Sequence, residues 1–212
     1  MLDADATVYS FDLSTAVDAC WRTNGPNDKL CLLQADIFQI PCKTEAFDRV
    51  FCYGVLQHTP DPKAAFLSLI PFLRPGGKIS VDCYIKSLRL NRWTAKYLWR
   101  WITSRMPRQR LFEVVEWYIP KWLPIDTFLA GVPVIGKWLV GIIPCWNYTG
   151  MLPLSGDEIV SWAILDTFDA LASKYDSPQT LEEVGSWFKE AGLANVRVGG
   201  GSNGIVGNGS RP

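Results

Sequence analysis

Between residues 7 and 84, short β-branched and aromatic runs alternate with stretches of helical length, and aspartates stand at the ends of several runs. Thr7 to Phe11 reads as a buried strand closed by Asp12, after which Ser14 is placed to cap a helix through Ala16, Val17 and Cys20. Leu30 to Gln34 reads as a second strand, closed by Ala35 and Asp36. Phe47 to Tyr53 reads as a third, opened by Asp48 and ended by Gly54. Asp61 and Pro62 form an N-cap followed by proline at the first helical position, and Phe66, Leu67, Ile70 and Leu73 line the helix that follows. That helix stops before Arg74-Pro-Gly-Gly77, and Lys78 to Tyr84 alternates into a further strand. Strands separated by crossover helices pair in parallel, so the fold expected is α/β: a Rossmann-like, mostly parallel sheet with helices on both faces.

Charge and aromatic content divide the rest. Net charge is +0, which argues against a general nucleic-acid binder, but the charges are segregated. Lys86 to Lys121 holds nine Lys/Arg against two Glu, while Met151 to Glu190 holds eight Asp/Glu against two Lys. Seven of the ten tryptophans fall within residues 88–150. Three parts follow: residues 1–85, a basic aromatic insert at 86–150, and residues 151–212, which complete the sheet. The six cysteines are spread singly with no CxxC pair, which leaves no zinc or redox motif and fits a reducing, cytoplasmic setting. The start has no basic n-region and no apolar h-region, and Thr127 to Trp146 is too interrupted by Lys137, prolines and glycines for a simple membrane span.

In open α/β sheets, ligands sit at the carboxyl ends of strands. Four segments lie in order along the chain: Val8 to Ser14, Gln34 to Pro41, Phe47 to Asp61 and Leu73 to Ile79. Together they resemble the class I S-adenosylmethionine-dependent methyltransferases, type-11 group. The resemblance implies S-adenosyl-L-methionine as cofactor, with Asp12 and Leu13 at the ribose, Asp36 and Ile37 at the adenine, and Tyr53 and Gly54 along the methionine portion. It also implies that Leu181 to Gly209 forms a last helix and an antiparallel hairpin. One departure stands out. The family's first strand and its Gly-rich loop should precede the Asp12 strand, yet eleven residues precede Asp12 and none is glycine. An N-terminal truncation is therefore expected, with Met1 internal to a longer protein; a genuinely shortened, non-enzymatic Rossmann-like remnant is the alternative.

The insert and the acidic segment are the candidates for choosing the acceptor, a small-molecule or lipid-like compound rather than nucleic acid. Asn91 to Met106 reads as a basic amphipathic helix, with Trp93, Tyr97, Leu98, Trp101 and Ile102 apolar and Arg92, Lys96, Arg100 and Arg105 interleaved. Leu111 to Leu123 continues in that style, and Val132 to Ile143 is almost wholly apolar. A lid over the acceptor, contact with a membrane surface, and plain packing all fit this pattern. Ser155 to Glu158 and Thr180 to Glu183 each match a capping box. Trp146, Tyr148, Asp166, Asp169 and Tyr175 are the acceptor-site candidates. His58, the only histidine, is the candidate general base.

Overall fold

The computed structural model describes residues 5–87, 95–133, 136, 139–140 and 142–212. The chain divides into two compact units, residues 1–85 with 177–212, and residues 86–176.

The first unit holds six strands and three α-helices. β1 (Val8–Asp12), α1 (Ala16–Asn24) and β2 (Leu30–Gln34) come first, and β1 pairs with β2 in parallel, Asp12 standing opposite Gln34. β3 (Phe47–Cys52), α2 (Pro62–Leu69) and β4 (Leu73–Cys83) follow, β3 lying parallel to β4. In the final stretch, the helix Leu181–Glu190 leads into β5 (Ala194–Gly201) and β6 (Gly204–Ser210). This hairpin enters the sheet antiparallel, with β6 between β4 and β5. The expected strands, crossover pairings and terminal hairpin are all present. The hydrogen bonds form two ladders, β1–β2 and β3–β4–β6–β5, and none joins β1 to β3 among the described residues. Those strands meet through the Tyr9 and Phe47 rings, edge to face with centroids 5.4 Å apart.

One face of the larger sheet is the core. Val50 and Cys52 of β3, Ile79, Val81 and Cys83 of β4, and Ile205 of β6 alternate inward. They meet Ala65, Phe66 and Leu69 of α2 and Val184, Trp187 and Phe188 of the last helix. Phe66 stacks obliquely on Phe188 with centroids 4.7 Å apart. Phe188 sits directly on Gly207 and Gly209, where an added Cβ would come within 2.7 and 2.9 Å of its ring. The opposite face carries Arg49, Phe51 and Tyr53 from β3, all exposed, and Lys78 from β4. The sequence leads to helices on both faces of the sheet, but among the described residues no helix of this unit covers this one, and the rings of Phe51 and Tyr53 stay exposed beside Arg49 and Lys78.

Local signals fix the helix starts. Asp61 accepts the Ala64 N–H at 2.9 Å with Pro62 at the first helical position. Thr180 and Glu183 close both halves of the expected capping box, at 3.1 and 2.7 Å.

The second unit is helical: α3 (Lys96–Thr103), α4 (Arg108–Ala130) and α5 (Asp157–Ala172); the helix at Leu181–Glu190 is then α6. Leu111, Val115, Ile119 and Leu123 recur every fourth residue of α4 and pack with Ala163 and Leu171 of α5 and with Cys145. This shared core crosses residue 150, where the sequence suggests a boundary, because α4 and α5 pack their apolar stripes on each other. The capping box expected at Ser155 is also corrected: Gly156 occupies the N-cap, and no side chain caps α5. Arg92 and Trp93, and residues 134, 135, 137, 138 and 141 of the apolar run 132–143, lie outside the described residues.

Gly207→Ala should destabilise the protein by about 1–3 kcal/mol, because the new methyl has to displace the Phe188 ring. Gly185→Ala, in open space on α6, should instead stabilise it by about 0.5–1 kcal/mol. Urea denaturation of the two variants measures both signs.

Candidate cofactor and acceptor sites

Asp12 and Asp36 close adjacent parallel strands, and each carboxylate is held the same way. Oδ1 of Asp12 accepts the Ser14 N–H at 2.7 Å and the Ser14 hydroxyl at 2.6 Å. Oδ1 of Asp36 accepts the Phe38 N–H at 3.0 Å. These local turns fix the two carboxylates in place, and Oδ2 of each accepts nothing among the described residues. The Leu13 side chain is largely exposed, whereas Ile37 is buried in the core and presents only backbone, its carbonyl accepting the Ser68 hydroxyl at 2.8 Å.

Tyr53 and Gly54 leave the end of β3. The Tyr53 hydroxyl lies 2.5 Å from Ser80 Oγ, which donates to Asn208 Oδ1 at 2.7 Å, so one chain of hydrogen bonds crosses three strands. Gly54 adopts φ +71°, a left-handed turn that suits a residue without Cβ. Its N–H donates to Asp82 Oδ1 at 2.6 Å, and the other Asp82 oxygen accepts Asn203 Nδ2 at 3.0 Å. Sequence reasoning missed Ser80, Asp82, Asn203 and Asn208. The partners of Asp82 and Ser80 come from as far as 128 residues away, so no local pattern exposes them.

The segment after Gly54 turns through a short 3-10 helix, Leu56–His58. His58 is half-buried with its ring edge-on to Tyr84 at 5.4 Å. Beside it, Gln57 is completely buried, and among the described residues neither its amide oxygen nor its nitrogen has a partner. A buried amide with both ends open is rare, because each end costs about 1–3 kcal/mol. Cys52 and Cys83 are not nucleophiles at neutral pH: burial foremost, with the nearby Asp82 charge, pushes each thiol up to about 12.

In the second unit, the acceptor candidates separate. The Tyr148 hydroxyl donates to Asp166 Oδ2, and Trp162 packs edge-on to Tyr148 at 6.3 Å. Trp146 is buried, its backbone N–H donating to Thr167 Oγ1 at 3.0 Å. Asp169 is exposed, and the Tyr175 ring lies under Lys174 Nζ at 5.1 Å. The structure pairs Tyr148 with Asp166 and brings neither Asp169 nor Tyr175 to them by any hydrogen bond found among the described residues.

The basic face expected on α3 is turned inward. Lys96 is 4% exposed and its Nζ lies 2.5 Å from Asp176, whose side chain is 1% exposed. Tyr97 donates to the other Asp176 oxygen at 2.8 Å. Arg100 donates to the carbonyls of Ala170 and Ser173 at 2.9 and 2.7 Å, and Thr103 donates to that of Leu171 at 3.2 Å. The end of α5 is thus capped by α3, cations meeting the negative pole of a helix. Burial pushes the Lys96 ammonium below the usual lysine range despite Asp176, with Arg100 adding to the shift. With its cations inside, α3 leaves Trp101 67% exposed, and α4 leaves Trp117 67% exposed.

Residues 1–81 match the family model described as a methyltransferase domain. Two tRNA U34 carboxymethyltransferases are similar over short stretches. The protein from Chromohalobacter salexigens is 37% identical over 65 residues, 31% of this chain and 17% of that protein. The protein from Nautilia profundicola is 44% identical over 46 residues, 22% and 15% respectively. The match therefore spans less than a fifth of either relative. Among solved structures, a possible exported protein from Bordetella parapertussis superposes with TM-score 0.50 at 13% identity, over 96% of this chain and 53% of that one. At that identity the likeness is one of fold.

Lys96→Met should cost about 3 kcal/mol, since it removes the closest cation from a buried carboxylate. Lys96→Met combined with Asp176→Leu should recover at least half of that loss. Chemical denaturation of the single and double variants is the check.

Proposed function

We propose, from the premise that residues 1–81 carry a methyltransferase domain, that the chain is an S-adenosylmethionine-dependent methyltransferase. The observation that carries the reading is the pair of strand-end carboxylates, Asp12 and Asp36, each locked through Oδ1 and open at Oδ2. Two fixed acceptors on neighbouring parallel strands suit a ribose hydroxyl pair and an adenine amino group. The open amide of Gln57 fits the polar end of such a ligand as well. Bound there, S-adenosylmethionine supplies an electrophilic methyl group.

The roles of the chain's own residues follow. Asp12 accepts from the ribose, Asp36 accepts from adenine, and the exposed Leu13 covers the base. Ile37 acts through its backbone, because its side chain belongs to the core. Tyr53 and Gly54 shape the turn toward the methionine portion, with Asp82 holding Gly54. His58 takes the acceptor's proton where the accepting atom carries one. Alignment of nucleophile, methyl and sulfur contributes most of the rate, so a base supplies only part. Acceptor choice is assigned to the second unit, to Tyr148 and Asp166 first, with Trp146, Asp169 and Tyr175 as further candidates.

An RNA acceptor is a second reading, favoured by the outer sheet face. Arg49, Lys78 and Arg197 line an open hollow there with the exposed rings of Phe51 and Tyr53. Cations beside stacking rings are what unpaired nucleotides require. Zero net charge excludes a diffuse electrostatic binder, not a local patch of this kind. The short likeness to two tRNA-modifying enzymes is in keeping with it.

Asp12→Ala should weaken S-adenosylmethionine binding by about 1–3 kcal/mol in calorimetric titration, and Asp36→Ala by less. Unchanged affinity in a folded Asp12→Ala protein would remove the reading. His58→Gln should lower the rate of transfer while sparing cofactor affinity. For the RNA reading, Arg49→Glu with Lys78→Glu should abolish salt-sensitive retention of single-stranded RNA on a filter.

A further inference from the structure

The helical unit carries a second hollow that no part of the methyl-transfer reading uses. It holds about 500 Å³, within the range of small-molecule sites, and α3, α4 and the segment at Ile143 and Pro144 wall it. Trp99, Ile102 and Met106 form one side. Val114, Trp117 and Ile125 form another, and Leu111, Val115 and Leu171 close the floor toward the core. The walls are almost wholly apolar. Trp99 is fixed by its indole N–H, which donates to the Ile142 carbonyl at 2.8 Å.

The polar groups of the lining are few, and the Thr103 and Tyr118 hydroxyls are spent on the carbonyls of Leu171 and Pro144. Among the described residues, Lys121 is the one charged residue lining the hollow, its ammonium lying 4.0 Å from the centroid of the Trp117 ring and 2.8 Å from the Trp117 carbonyl oxygen. Trp122 also lines it, but its indole N–H is shut off from water and therefore from the hollow. The rest of the surroundings explain why the hollow stays open. The nearby cations Lys96 and Arg100 are committed to Asp176 and to the end of α5, so they turn the apolar side of α3 outward instead of covering it.

We propose that this hollow binds a single-chain anionic amphiphile, a long-chain carboxylate or similar lipid, with its tail between α3 and α4 and its head at Lys121. A flat bilayer would engage the outermost rings, such as Trp101 and Phe128, which lie outside the lining; a concave site between helices takes one chain. The inference stands on the second unit alone and does not depend on the methyl-transfer reading. An amphiphile held here would be a candidate acceptor only if that reading also holds.

The probe is hexadecanoate, titrated below its aggregation concentration against the full chain, with tryptophan fluorescence and equilibrium dialysis as readouts. Saturable binding of one hexadecanoate per chain is expected. Val114→Trp and, separately, Ile125→Trp should fill the hollow and weaken binding at least tenfold, so the failure of one variant to fold leaves the other to decide. Lys121→Glu should weaken hexadecanoate at least fivefold and leave hexadecan-1-ol within twofold. Binding without saturation, binding indifferent to both filling variants, or binding seen only to anionic vesicles would overturn the proposal; the last outcome would make the surface a membrane contact. S-adenosylmethionine titrated in parallel keeps the two readings apart, since the filling variants should leave its affinity unchanged.

Discussion

The contact between the Phe188 ring and the glycines at 207 and 209 organises the first unit. β6 has to lie flat against α6 for the hairpin to reach β4, and only residues without side chains let the ring come this close. Once β6 is seated, Ser80 meets Asn208 and Asp82 meets Asn203, and through Asp82 the turn at Gly54 is held. A packing constraint on the inner face of the sheet thereby sets the geometry of polar groups along its outer face and at its carboxyl end. In the helical unit, the buried Lys96–Asp176 pair has the corresponding place: it orients α3, and the orientation of α3 decides which tryptophans meet water.

How far the sequence could be read depended on the range of the interaction. β2 has the bounds read from residues 30–34, and the caps at Asp61 and Thr180 form as their spacing suggested, because each is settled within four residues. The terminal hairpin was legible through its family resemblance and its capping box. The matching spacing at Ser155 misled, since the cap position falls on Gly156. The face of α3 misled more seriously. An amphipathic pattern assigns charged side chains to water, but Asp176 lies 80 residues away and the carbonyls capped by Arg100 lie at the end of another helix. No window along the chain contains those partners.

The candidate site divides in the same way. Asp12 and Asp36 could be picked out because strand, aspartate and turn are adjacent in sequence, and their Oδ1 partners lie two residues on. The burial of Trp146 and the bond from its backbone N–H to Thr167, 21 residues on, depend on a helix that no local pattern around Trp146 reveals. Gln57 gave no signal, as an unpartnered amide is visible only once everything around it is in place.

Among the described residues no ladder joins β1 to β3, and this has a thermodynamic corollary. Asp12 and Asp36 ride on one hydrogen-bonded plate and the Gly54 turn on another, with the Tyr9–Phe47 ring contact and apolar packing between them. A ladder resists sliding along its strands at every rung, whereas apolar contact tolerates small shear. Any molecule gripping both plates must therefore freeze that shear, and the lost freedom is subtracted from its affinity. By the same linkage, whatever cross-links the two plates beforehand makes the molecule bind more tightly without touching it. The affinity of the site is then set partly by the stiffness of a seam that contains none of the carboxylates.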